Sequence, residues 1–250
     1  MKSVLRTLLL LLPVLFFAPV QGVQTAKAFA RFPRLVLWAW QMPERLEFID
    51  PAQISVAYLD QTIYVRNRVV SEPRFQPMRV APGTQVIAVV RIEMPEAASH
   101  DSEEIRKQVV DALVRSADRA GIVALQVDFD AVKSQREFYR DVLVRLRKQM
   151  PPNMPLSITA LASWCAFDDW IRDLPIDEAV PMMFRMGREG ALFHRSGGTA
   201  TFREPLCRTS MGVSTDEPWP EKIRGKRLYV FGVSPWTKDS VEHVVKESGQ

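Results

Sequence analysis

An α/β fold, with its strands closed into a single (β/α)8 TIM barrel, is what the sequence predicts, and three observations predict it. Short apolar runs alternate with helical patterns along most of the chain, the order expected when strands are laid parallel through helical crossovers. Runs such as "VIAVVRI" are apolar at consecutive positions, which suits strands covered on both faces. Residues 33–250 approach the usual barrel length of about 250 residues, and neither G-x-G-x-x-G nor G-x-x-x-x-G-K-[ST] occurs to advertise an open doubly wound sheet.

The chain opens on residues 1–22, which read as a secretory signal peptide: Lys2 and Arg6 come first, an apolar stretch follows, and Val20-Gln21-Gly22 forms a small-residue exit, with a second possible cleavage point after Ala28. Pro13 and Pro19 interrupt that stretch, and it is short for a membrane span, so a membrane is met only through this segment if it stays uncleaved. Cleavage after Gly22 removes Lys2 and Arg6 and no acid, lowering the formal charge from +4 to +2. With 47% hydrophobic and 25% charged residues the rest is ordinary globular material, and no dense Lys/Arg block offers a surface to nucleic acid.

Eight candidate strands follow, at residues 35–40, 54–59, 86–92, 122–128, 156–161, 179–184, 210–213 and 228–231. Among the crossovers, 101–120 is the clearest helix, with an acidic first turn, apolar Ile105, Val109, Ala112, Leu113 and Ala117 at helical spacing, and Gly121 as its stop. Ser134 with Glu137 predicts a capping box, after which Phe138, Val142 and Leu146 form an inward stripe. Residues 239–247 read as a closing helix, while the crossovers after the first, second and sixth strands are short or missing. Pro181 lies inside the sixth strand, where a closed sheet has no free edge for a residue without N–H; a bulge, or a strand starting at Met182, is expected there.

In such a barrel the chemistry sits where the strands finish. Those ends are polar and aromatic: Trp38-Ala39-Trp40, Arg91-Ile92-Glu93, Asp128-Phe129-Asp130, Trp164 after the fifth strand, Phe184-Arg185, Asp216-Glu217-Pro218-Trp219, and Trp236. Aromatic walls with acids and arginines between them suit a carbohydrate, which presents apolar C–H faces and hydroxyl edges. Alternation along "ALQVDFDA" puts Ala124, Gln126, Asp128 and Asp130 on one side and Leu125, Val127 and Phe129 on the other; if the apolar set meets the helices, the polar set faces the lumen. Two carboxyls two residues apart, about 6.6 Å between Cα atoms, influence each other's ionisation, and one that resists ionising is a proton donor near neutral pH. The structural alternative is that Asp128 bonds nearby backbone and Asp130 caps the following turn.

The run "GIVALQVDFDA", then "PLSITAL", "DEAVPMMF" and the late Trp236 resemble the order of elements in the glycoside hydrolase family 18, or chitinase-like, barrels. The chain also resembles a bacterial exported family, domain of unknown function 3142, through "LVLWAW", "VAYLDQTI", "LQVDFDA", "LSITALASWC", "EAVPMMFRMG" and "STDEPWP"; this second resemblance implies the fold and no particular activity. The chitinase-like resemblance implies that Asp130 occupies the place of the acid that protonates the leaving group and Asp128 that of the acid that holds the substrate, with Trp236 lining the sugar pocket. This chain departs from that pattern at Gln126, where an acid is expected, at Asp130, where the longer Glu is expected, and at Phe184 and Arg185, which replace a Tyr and an Asp.

The sequence therefore predicts an exported protein that acts on or binds a glycan or oligosaccharide, with Asp130 and Asp128 as catalytic candidates and Trp40, Arg91, Glu93, Gln126, Trp164, Arg185, Asp216, Glu217 and Trp236 around the substrate. The alternative is a glycan-binding or cell-envelope protein without catalysis on the same scaffold. No cofactor and no metal is called for: G-x-S-x-G is absent, and His100, His194 and His243 fall in loops or the last helix. Cys165 and Cys207 are each other's only possible partner, as a disulfide in an oxidising compartment or as two buried thiols.

Overall fold

A computed structural model describes residues 28–96, 102–187, 190, 193, 202–221, 223 and 225–249; the signal-peptide reading, His100 and His194 lie outside them. The strands are β1 (Leu35–Ala39), β2 (Glu44–Leu46), β3 (Ile54–Val65), β4 (Val69–Pro73), β5 (Met78–Val80), β6 (Val86–Glu93), β7 (Ile122–Asp128), β8 (Leu156–Leu161), β9 (Glu178–Met182), β10 (Ser210–Ser214) and β11 (Arg227–Phe231). The helices are α1 (Glu103–Ala117), α2 (Arg136–Gln149), α3 (Ala162–Ala166) and α4 (Lys238–Ser248).

Eight strands form one ring of parallel neighbours in the order β1-β11-β10-β9-β8-β7-β6-β3, and β3 returns to β1 through five register pairs from Leu35↔Ile54 to Ala39↔Tyr58. The result is an irregular TIM-like barrel with few helices. Each expected strand has its counterpart in the ring, and the pair 122–128 and 156–161 has the expected bounds. In place of a helical crossover after the second strand, β3 continues to Val65, with β4 pairing antiparallel to it over Gln61–Val65, and β5 joins β2 in a small separate ladder.

Asp60 sits where the β3–β6 register shifts between Leu59 and Gln61. This bulge is tied to α1. Ser116 Oγ donates to Asp60 Oδ2 at 2.6 Å, the Arg119 guanidinium approaches to 2.9 Å, and Tyr58 Oη donates to Oδ1 at 2.8 Å. Burial and the Asp60 charge together push the Tyr58 phenol well above its ordinary range.

Two expectations are corrected by the backbone. Ser134 does not cap a helix: Lys133–Gln135 form a short 3-10 turn and α2 begins at Arg136. Gln135 holds that turn, accepting from Val132 N–H at 3.0 Å and donating to the Met94 carbonyl at 3.0 Å. Pro181 stays inside β9, with neither a bulge nor a late start. Met183 N–H donates to the Gly212 carbonyl, so alternation aims the Pro181 nitrogen at β10 as well, and there the ladder is reduced to the single pair Gly212↔Met182.

Strand alternation divides the core. Leu125, Val127, Phe129, Ile158 and Val230 point outward and join the buried stripe of α1 and α2, including Val109, Leu113, Phe138, Val142 and Leu146. Val36, Trp38, Ala57, Ile87, Val89, Ala124, Val180 and Tyr229 point inward and fill the lumen. The lower end is closed by Phe29 and Phe32, packed against that inner cluster, and by buried Glu178, which accepts from Arg227 Nη1 and Tyr229 Oη at 2.7 Å each. The packed base leaves the upper, C-terminal end of the strands as the place for a site.

Candidate functional site

At that end lies a cavity of about 490 Å³, lined by Trp38, Trp40, Arg91, Asp128, Asp130, Thr159, Leu161, Ala162, Ser163, Met182, Phe184, Arg185, Met186, Phe193 and Phe231. Its polar side is built by β6, β7 and β8. In β7 the inward positions run from Ala124, packed in the lumen, through Gln126 to Asp128 at the cavity floor. Gln126 is fully buried: Trp38 Nε1 donates to its Oε1 at 2.8 Å, and its Nε2 donates to Ser157 Oγ at 3.0 Å. It lies beneath the cavity and carries Trp38.

Asp128 is buried and held from both neighbouring strands. Thr159 Oγ1 donates to its Oδ1 at 2.7 Å, and Arg91 Nη1 donates to Oδ2 at 3.0 Å. Arg91 Nε also makes a short bond to Glu93, so this guanidinium is shared between two carboxylates. Asp130, two residues on, has neither a hydrogen bond nor an ion pair among the described residues. It opens to solvent at the mouth, yet protein encloses most of its surroundings; that desolvation, and then the charge of Asp128, push its carboxyl up to about 6 against the pull of Arg91.

The opposite wall is aromatic. Phe184 and Phe231 stack with centroids 5.8 Å apart and 13° between planes, Trp40 meets Phe231 edge-on at 6.0 Å, and Trp38 leans on Phe184 at 6.3 Å. Gly212 makes room for this packing, since a Cβ there would come within 2.9 Å of Trp38 Cη2. At the rim Arg185, in the left-handed region at φ 57°, is clamped by two acids from the segment after β10. Its Nη1 donates to Glu217 at 2.6 Å, its Nη2 to Asp216 at 2.9 Å, and its backbone N–H to Glu217 at 3.1 Å. The Ser214 hydroxyl and Arg185 together hold the Asp216 carboxyl below its usual range.

The expected substrate residues therefore divide. Trp40, Arg91 and Arg185 line the cavity with Asp128 and Asp130; Glu93, Asp216 and Glu217 flank it through the two arginines. Trp164 and Trp236 do not line it. Trp164 is buried on α3 with its ring edge-on to Trp170 at 4.8 Å, turned away from the wall that Ala162 and Ser163 supply. Trp236 is buried outside the ring, where its Nε1 donates to the Trp38 carbonyl at 3.0 Å and its N–H to Glu44 at 2.9 Å, so it braces the end of β1. Arg91 and Arg185, expected to meet hydroxyls or acids of a substrate, already hold acids of the chain. Contributors outside the expected catalytic and substrate residues include Trp38, Thr159, Phe184 and Phe231. Thr159 was readable, because alternation in "LSITAL" puts Ser157 and Thr159 on the face opposite Leu156, Ile158 and Ala160.

Cys165 and Cys207 form a disulfide, with Cα atoms 5.9 Å apart, that fastens α3 beside the cavity to the segment leading into β10. Among the described residues no group of three or more His, Cys, Asp or Glu is placed to hold a metal ion, and no helix is long and apolar enough to cross a membrane. His243 sits exposed on α4 beside Glu247.

Residues 82–178 match the family model described as Domain of unknown function (DUF3142). The DUF3142 match spans Arg91, Glu93, Gln126, Asp128, Asp130 and Thr159, the polar half of the site; Trp38, Trp40, Phe184 and Phe231, the aromatic half, lie outside it. No curated protein matches the chain. Among solved structures, it is similar to the Bacillus cereus spore cortex-lytic enzyme SleL, at 15% identity and a TM-score of 0.46. That match covers 73% of this chain and 51% of the other, so the chain spans about half the length of the structure it matches.

Proposed function

We propose that the cavity binds a glycan and that Asp130 protonates a glycosidic oxygen there. The observation that carries this is the contrast between two neighbouring acids: Asp128 is fixed by Thr159 and Arg91, while Asp130 is unpaired, faces the cavity and is pushed up to about 6. A carboxyl with a raised pKa keeps its proton to near neutral pH, and a fixed partner of opposite role beside it suits acid-assisted cleavage. The aromatic wall of Trp40, Phe184 and Phe231 supplies apolar faces for sugar C–H groups, and Asp128 supplies an oriented acceptor for a hydroxyl. Placement outside the cytoplasm is part of the same reading, supported by the Cys165–Cys207 bond and by the signal-like residues 1–22.

The test pairs a hydrolysis assay with a binding assay on a panel of soluble oligosaccharides. Asp130→Asn should keep binding and lose on the order of 10²-fold or more in turnover, the usual size of general-acid assistance. Turnover of a found substrate at an unchanged rate by Asp130→Asn would show that the proton comes from elsewhere.

A second reading is favoured by one specific observation: Asp128, Glu93, Asp216 and Glu217 are each engaged by Arg91 or Arg185, so Asp130 has no free carboxylate opposite it among the described residues. In that reading the cavity holds its glycan without cleaving it. Saturable binding with no product at high protein concentration supports it, and any product formation lost with Asp130→Asn rejects it.

A further inference from the structure

The two arginines that line the cavity among the described residues are already spent on the chain's own acids. Arg91 lies between Asp128 and Glu93, and Arg185 between Asp216 and Glu217, while Asp130 stands unpaired. Five carboxyl groups thus face two guanidiniums, and among the described residues no lysine and no third arginine lines the cavity. A guanidinium recognises a carboxylate or phosphate by offering parallel N–H donors, and at Arg185 those donors are taken: Nη1 by Glu217 at 2.6 Å and Nη2 by Asp216 at 2.9 Å. An anionic group entering this mouth meets excess negative charge and, among the described residues, no free cation.

Resting on the glycan reading, we infer that the cavity selects uncharged oligosaccharides over anionic ones, and that Asp216 and Glu217 set this selectivity by occupying Arg185. Hydroxyl groups need no countercharge and bond well to carboxylates, so Asp128 and Asp130 remain useful acceptors for a neutral sugar while they repel a uronate. The clamp is also geometrically defined. Glu217 takes the Arg185 backbone N–H as well as its guanidinium, which holds the residue in its left-handed conformation at the rim. Exchanging the acids for amides of the same shape keeps acceptors for both contacts, removes two negative charges and leaves Arg185 with a positive charge that a ligand can meet.

The experiment titrates hexamers of glucose, of mannose and of N-acetylglucosamine, and the C6-carboxylate counterpart of each, against the wild-type chain and the Asp216→Asn/Glu217→Gln double variant. Wild type should bind at least one uncharged hexamer about tenfold or more tighter than its anionic counterpart, as expected where like charges are brought together. The double variant should shrink that ratio to about threefold or less by strengthening the anionic ligand, and the gain should fade as salt rises towards 0.15 M, where the screening length is about 8 Å. Equal or tighter binding of the anionic hexamer by wild type overturns the inference, and this holds however the variant behaves. A double variant that folds and keeps the wild-type ratio overturns the part assigned to Asp216 and Glu217. Those results leave the glycan reading standing; absence of binding to every hexamer, charged and uncharged, rejects the glycan reading and the selectivity with it.

Discussion

The Thr159 hydroxyl donates to Asp128 Oδ1 at 2.7 Å, from the strand beside the one that carries the acid. Both groups are buried, so this bond is part of the barrel's stability as well as of its site. Thr159→Val keeps the shape and removes the donor; it should cost roughly 1.5–3 kcal/mol, the range for hydrogen bonds to a charged group, while Thr159→Ser should stay near wild type. Urea unfolding of the two variants decides this, and equal midpoints for both would show that the hydroxyl does not hold Asp128.

Asp130 gives the site a pH dependence of defined sign. Its carboxyl is raised from 3.8 to about 6, so the folded chain binds this proton more tightly than the unfolded chain. The contribution of Asp130 to stability therefore declines as pH climbs through that window, and Asp130→Asn should gain on wild type between about pH 4 and about pH 7 in thermal melts. If the glycan is cleaved, kcat/KM should fall as pH passes upward through about 6, because the donor is losing its proton. A stability difference that does not change over that range would remove the basis for both expectations.

Gly212 is set by its neighbour rather than by its own backbone. A Cβ there would lie 2.9 Å from Trp38 Cη2 and 3.2 Å from Cζ3, and the Trp38 ring rests in turn on Phe184 and on Gln126. Gly212→Ala should destabilise the fold by about 1–3 kcal/mol, as overpacked cores do, and should weaken any ligand in the cavity by displacing that indole. The change in Trp fluorescence on ligand addition, compared between variant and parent, is the direct measurement.

The Cys165–Cys207 bond closes a loop with a sequence separation of 42, and the entropy of such a loop in the unfolded chain corresponds to roughly 4 kcal/mol. The Cys165→Ser/Cys207→Ser double variant should lose about 2–4 kcal/mol in denaturant unfolding, with the oxidised wild type as reference. Reductant should shift the wild type towards the variant and leave the variant itself where it was.

Much of the ring was legible because a two-residue period is a strong pattern: "ALQVDFDA" separates lumen from helical layer by polarity alone. The polar half of the site followed from the same alternation, since Asp128 and Asp130 share the inward side of β7 and its continuation. What stayed hidden was long-range. Arg185 and Glu217 are 32 residues apart and Arg91 and Asp128 are 37 apart, so nothing local revealed that each arginine is already matched to an acid. Tryptophan carries the same ambiguity. Trp40 lines the cavity while Trp164 and Trp236 are core, and an indole at a strand end suits either environment. The strands β2, β4 and β5 were missed because they are short and partly exposed, and lack the apolar runs that mark the ring.

The base of the barrel has a consequence for traffic. Phe29 and Phe32 cap it, the Glu178–Arg227 pair sits above them, and the inner side chains fill the space up to Trp38, so among the described residues no second exit leads from the cavity through the lumen. Among the described residues, a ligand enters and leaves at the upper mouth, past Trp40 and the Arg185 rim. If the glycan is cleaved, a departing fragment and an arriving molecule share that doorway, and accumulated product should slow turnover by occupying it.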